Sequence, residues 1–123
     1  MTIQEAIEAL DELKPNAYSL ERKVSWLSTL DGQVYREVLC FFGIAPDSFS
    51  EYDPERDADR ELLIPEPYGR EIYTAYLEAA VDRENGEIAK YNQSMSQFNG
   101  AYLRYINDCI RTLEPRATGP FRF

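Results

Sequence analysis

From Ile88 to Leu113, apolar side chains recur every three or four residues: Ile88, Tyr91, Met95, Phe98, Tyr102, Tyr105, Cys109 and Leu113. That spacing lays them along one side of a single helix about 26 residues long, and such a helix is stable only where other elements cover its apolar side. Four of the eight are aromatic (Tyr91, Phe98, Tyr102 and Tyr105), too bulky for a narrow coiled coil. They suit a helix clamped between several others, so the seam implies a bundle.

The rest of the chain supplies partners of the same kind. Thr2 with Glu5 three residues on fits a capping box, and Ile3, Ala6, Ile7, Leu10 and Leu13 then share one face of a short helix that Pro15-Asn16 ends. Ser19 caps a second helix whose apolar positions Leu20, Val24, Leu27, Val34, Val38 and Phe41 keep a helical period through Trp26 and up to Gly43. Asp31-Gly32 interrupts its middle, but the apolar phase survives across the pair, so one helix with a weak spot is expected. Ile72, Tyr73, Tyr76, Leu77, Ala80 and Val81 mark a third helix beginning near Gly69. Asn85-Gly86 then stands either as a tight connection between antiparallel helices or as a kink in one long helix, with a break favoured. The paired carboxylates Glu78 and Asp82 fall beside Arg83 and Lys90 and read as ordinary surface charge.

Residues 43–67 break every pattern. Gly43, Pro46, Asp47, Ser48, Pro54, Pro65 and Pro67 predict a loop of roughly 25 residues, a length that in compact domains is often functional. Between 47 and 61 it holds seven acids (Asp47, Glu51, Asp53, Glu55, Asp57, Asp59 and Glu61) against Arg56 and Arg60. The alternation from Asp53 fails as a calcium loop, with Ala58 where a glycine is needed and Ile64 where a bidentate glutamate is needed. A solvated acidic loop is the expectation, anchored at its end by Leu62-Leu63-Ile64 or forming a short edge strand there. Pro115 ends the last helix, and Gly119-Pro120 forbid another. The terminal segment carries Phe121 and Phe123 with Arg116 and Arg122, and either packs on its own domain or docks as an arm on a neighbour.

Charge and composition narrow the chemistry. There is no histidine, which excludes imidazole-dependent nucleophiles and metal sites that lean on imidazole within one subunit. With 22 acidic and 13 basic residues the net charge is −9, which disfavours sequence-independent phosphate binding. The charge is directional: residues 104–123 carry +2 and residues 1–103 carry −11, a polarity suited to self-association or to docking of the tail on an acidic surface. Cys40 and Cys109 lack the spacing of a disulfide framework or metal motif and read as small buried hydrophobes. No secretory signal, membrane span, phosphate loop or nucleophile elbow is found, so a protein assembled in a reducing cytoplasm, not an enzyme and without a cofactor, is expected.

Several segments carry a resemblance. The opening MTIQEAIEALDELKPNAYSLERKVSWLSTLDGQVYREV, the central ELLIPEPYGREIYTAYLEAAVDRENGEIAKYNQSMSQFNGAY and the ending RTLEPRATGPFRF resemble a family of small proteins encoded among the structural genes of tailed bacteriophages and prophages of Gram-positive bacteria. The most specific pieces are Leu63-Ile64-Pro65-Glu66-Pro67-Tyr68, Asn85-Gly86-Glu87, Lys90-Tyr91-Asn92 and Phe98-Asn99-Gly100-Ala101-Tyr102. By analogy of class, the resemblance implies a head-tail connector or adaptor, a homo-oligomeric and commonly dodecameric ring in the virion neck. Its implied partners are the portal protein on one side and a neck or tail-completion protein on the other, with DNA only passing through the channel.

The expected fold is therefore all-α, a small helical bundle over 1–114 with one long acidic loop at 43–67 and an extended carboxy-terminal arm at 115–123. On this reading the arm, with Pro115, Arg116, Thr118, Gly119, Pro120, Phe121, Arg122 and Phe123, binds the portal. The loop, through Phe49, Tyr52, Asp53, Glu55, Asp57 and Asp59, meets the next ring. Two other readings stand beside it: a minor tail or baseplate component, and a small acidic inhibitor of the DNA-mimic type that occupies a basic cleft on a host factor. Assembly on a portal ring, as against capture of a basic protein by a small soluble species, separates the adaptor from the inhibitor.

Overall fold

Thr2 begins the first helix as expected: its hydroxyl accepts from the Glu5 backbone N–H and the Glu5 carboxylate accepts from the Thr2 N–H, completing the capping box. The computed structural model describes residues 1–113, which form four helices with no strand among them. Helix α1 is Ile3–Leu13. Helix α2 starts at Leu20 under a Ser19 cap, runs to Val34, continues through a π-helical turn Tyr35–Leu39 and ends with Cys40–Phe42. Helix α3 is Tyr68–Glu84 and α4 is Ile88–Thr112. The expected arm at 115–123 lies outside the described residues.

The weak spot at Asp31-Gly32 does not interrupt α2. The π turn beyond it changes which side chains face inward. One extra residue in the turn rotates everything after it by about 100°, the angle between successive helix positions. Val34, Val38 and Phe42, four apart, therefore stay in the core, while Phe41, expected there, is 38% exposed and Cys40 is exposed as well. At helix ends Leu13, Leu20 and Ile88 also emerge, because one terminal turn leaves no neighbour to cover them. Cys109 is buried, as expected.

Asn85-Gly86 is a break. Gly86 at φ +74° lets the Glu87 N–H reach back to the Asp82 carbonyl and its own N–H bond the Arg83 carbonyl, a reversal that an L side chain would strain. Gly43 at φ +73° ends α2 by the same pattern, with Ile44 N–H on the Leu39 carbonyl. The hairpin that follows α3 is antiparallel: Asp82 meets Ser94, Tyr76 meets Phe98, Glu71 meets Arg104 and Tyr68 meets Tyr105. The aromatic seam lies where its spacing placed it, with Phe98, Tyr102 and Tyr105 buried against the other helices.

The loop 43–67 is packed, not merely solvated. Its Ala58 and Arg60 carbonyls accept from Gln4 and Ile3, two backbone donors at the start of α1 that have no partner within the helix. Leu62 and Ile64 are buried and anchor its end, and in place of an edge strand there is a single bridge between Thr2 and Glu61. Gly69, in the first turn of α3, sits so close to this anchor that an added Cβ would lie 2.6 Å from the Ile64 carbonyl oxygen. Gly69→Ala is expected to cost about 1–3 kcal/mol, because the obstacle is backbone and cannot swing aside. Thermal unfolding measures it, and an unchanged melting temperature would contradict this packing.

Candidate interaction site

Asp31 organises the loop. It falls four residues after Leu27 and three before Val34, on the core side of α2, and is fully buried. Its carboxylate accepts three hydrogen bonds: from the Tyr52 hydroxyl at 2.5 Å, from the Tyr73 hydroxyl at 2.5 Å and from the Leu63 N–H at 3.0 Å. The Tyr73 hydroxyl in turn accepts from the Ile64 N–H at 2.8 Å. The Tyr52 N–H donates to Ser28 Oγ one turn earlier on α2. One carboxylate thus ties the middle of α2, the loop at Tyr52 and at Leu63, and the first half of α3.

Burial drives the Asp31 carboxyl above its ordinary range, against the three donors that pull it down. Burial and the neighbouring carboxylate push both tyrosine hydroxyls far up, so they remain protonated donors. Arg60 covers the Tyr52 ring, its guanidinium carbon 5.2 Å from the ring centre.

Between these anchors the acids form a turn by serving the backbone. Asp53 Oδ1 accepts from the Glu55 and Arg56 N–H groups, and Asp57 Oδ2 accepts from the Asp53 N–H. Those backbone donors hold both carboxyls below the usual carboxylate range, with Arg56 adding to the effect at Asp57. Of the loop residues expected to face a neighbour, Asp53, Glu55 and Asp59 are exposed. Tyr52 and Asp57 are buried, and Phe49 is half-buried between Tyr35 and Tyr52. Tyr52 turns inward because its hydroxyl is a ligand of Asp31; Asp57 does so because its carboxylate closes the turn. All eight residues assigned to the arm, Pro115 to Phe123, lie outside the described residues.

Asp82 is the second departure from expectation. It is fully buried, not surface charge, and Lys14 Nζ reaches its Oδ1 at 2.6 Å from the end of α1 while Ser94 Oγ donates to Oδ2 at 3.2 Å from α4. Glu78, one turn earlier, is half-buried at the α1–α3–α4 groove, and desolvation raises its carboxyl. Periodicity alone could have flagged both aspartates: Asp31 falls four residues after Leu27 and three before Val34, and Asp82 falls seven after Ala75 and three after Ala79, all buried.

Among the described residues no cluster of three potential ligands could hold a metal ion, and no helix is long and apolar enough to cross a membrane. What the fold and the site define is a class by architecture: a four-helix protein displaying a rigidly held acidic loop. No family model, curated protein or solved structure matches the chain.

Proposed function

We propose that this protein is a virion structural component, a head-tail connector or adaptor whose copies form a ring between the portal and the neck or tail. The observation that carries the reading is the loop. A 25-residue segment pinned at Tyr52, Leu63 and Ile64 presents Glu55 and Asp59 to solvent without having to fold on contact, and a preorganised loop binds at lower entropic cost than a flexible one. An acidic wall also suits a conduit for DNA, since carboxylates repel phosphates and let a duplex pass. The basic, aromatic residues 115–123 are assigned the grip on the portal, with assembly in the host cytoplasm and residence in the virion neck.

Mixing the purified chain with portal rings tests this, by electron microscopy and co-sedimentation. The full chain is expected to decorate the rings, and a chain lacking residues 115–123 is expected to keep its melting temperature and lose binding by about a hundredfold or more, as loss of an interface's anchoring aromatics does. A truncated chain that binds equally well would overturn the arm assignment, and a full chain that ignores portal rings would overturn the adaptor reading. The exposed acids of the held loop also fit an inhibitor that imitates DNA. That reading gains if the chain stays small and captures a basic protein through Glu55 and Asp59.

A further inference from the structure

Two grooves, of about 600 and 570 Å³, adjoin at Arg104. The first lies between the end of α1 and the middle of α4, lined by Ala75 and Glu78 of α3; the second continues past Tyr68 to Arg111 near the end of α4. Together they make one channel, about 21 Å from Gln97 to Arg111 along α4. Its wall is open at Gly100, where an added Cβ would meet within 4 Å only the Arg104 guanidinium, at 3.6 Å. Leu13, 62% exposed, stands at the far rim. Glu12, Glu71 and Glu78 supply carboxylates. Glu71 is paired with Arg104, but Glu12 and Glu78 make no hydrogen bond or ion pair among the described residues. Glu78 is half-buried, and the Lys14 charge that acts on it is taken by Asp82 at 2.6 Å. A carboxylate withdrawn from water without a partner is costly, so this end of the channel suits a cation. Arg70, also without an ion pair, lies about 12 Å away along α3, where its charge acts on Glu5.

Chain length says what supplies that cation. The described residues stop at Leu113, two positions past Arg111 at the mouth of the channel, and the sequence continues with Arg116, Phe121, Arg122 and Phe123. The level of Glu78 lies beside Gln97, about 24 Å back along α4 from Leu113. Arg122, nine residues beyond Leu113, reaches up to about 30 Å; Arg116, three beyond, reaches about 10 Å and falls short. The tether also favours the chain's own segment over a free partner, because it holds the segment at an effective concentration in the millimolar range. We propose that the channel is the seat of this chain's own residues 115–123, which fold back from Leu113, bring Arg122 to Glu78 and Glu12, and lay Phe121 beside Ala75 and Gly100. A seated segment is withheld from outside partners, so a portal that takes it must first draw it out. The seat is open to solvent and its ion pair is partly exposed, which keeps the seated and released forms close in free energy. The melting temperature without residues 115–123 therefore stays near the parent's.

A nitroxide spin label on Thr118→Cys tests this by NMR, in a full chain whose exposed Cys40 is replaced by serine and whose buried Cys109 is kept. The amides of Ser96, Gln97 and Gly100 are expected to lose intensity to the same extent at every protein concentration. Arg122→Glu, which sets like charges against each other, is expected to lower the ratio of seated to released segment about tenfold and restore that intensity. Gly100→Leu, which fills the channel while giving α4 a better helix former, is expected to do the same without lowering the melting temperature. Intensity at these amides that the label leaves untouched, or that is lost equally in Arg122→Glu and Gly100→Leu, would overturn the proposal. Loss that fades on dilution would place the segment on a second copy and overturn a seat within one chain. Portal binding is read separately by microscopy, so failure here and failure of the adaptor reading are distinct.

Discussion

Asp31→Ala is expected to lower the unfolding free energy by about 3–5 kcal/mol, a large part of the roughly 5–15 kcal/mol that holds an ordinary domain together. The substitution strands three donors at once: the Tyr52 and Tyr73 hydroxyls and the Leu63 N–H. Relief from burying a carboxylate offsets part of that cost. Asp31→Asn should be milder, about 1–3 kcal/mol. Its amide oxygen can still serve Tyr52 and Leu63, but its amide nitrogen meets Tyr73, whose hydroxyl already accepts from Ile64 and whose proton is then left without an acceptor.

The pH dependence has a definite sign. The carboxyl of Asp31 is raised on folding, so its contribution is fully present below the unfolded pKa, about 3.9, and is lost as pH rises through the higher folded value. The penalty of Asp31→Asn should therefore shrink between about pH 3 and pH 7. Denaturant melts across that range measure it, and a penalty that grew with pH would contradict the burial of the charge. Hydrogen exchange adds a local readout. In Asp31→Ala the Leu63 amide should exchange much faster, and equal protection in parent and variant would mean that the loop is held some other way.

Lys14→Ala is expected to be the next most damaging single change, at about 3 kcal/mol. Asp82 has no solvent access, and among the described residues the one cation paired with it is Lys14, whose side chain is itself only a quarter exposed. Among those residues Ser94 would then be the remaining side chain bonded to the carboxylate. Removing both charges behaves differently: Lys14→Met with Asp82→Leu eliminates the desolvated pair and is expected to be close to neutral or stabilising, as for other buried ion pairs replaced by apolar groups. A double-mutant cycle by chemical denaturation decides the matter. If the double variant is as unstable as Lys14→Ala, the pair is not the reason Asp82 tolerates burial.

How much of this was legible can be followed residue by residue. Thr2, Ser19, Gly43 and Gly86 act within a few residues of themselves, and each helix boundary they predict was found. The seam from Tyr91 to Cys109 was equally plain, since a repeat of three and four can be covered by any apolar neighbour. The limits came where a side chain's meaning depends on a distant partner. Phe41 and Phe42 are adjacent and equally apolar, and only the π turn selects Phe42. Asp57 looks like its exposed neighbours Glu55 and Asp59 until its bond to the Asp53 N–H is known.

The chain by itself determined an all-α bundle of four helices and a 25-residue loop at 43–67, because caps, periodicity and helix breakers are local properties of short stretches. Only the tertiary structure decided that the loop is held and by what. The distances from Asp31 to Tyr52, Leu63 and Tyr73 along the chain are 21, 32 and 42 residues. Periodicity puts Asp31 on the core side of α2, but donors arriving from such separations are named by no local pattern, and the buried group is tolerated only once all three are in place.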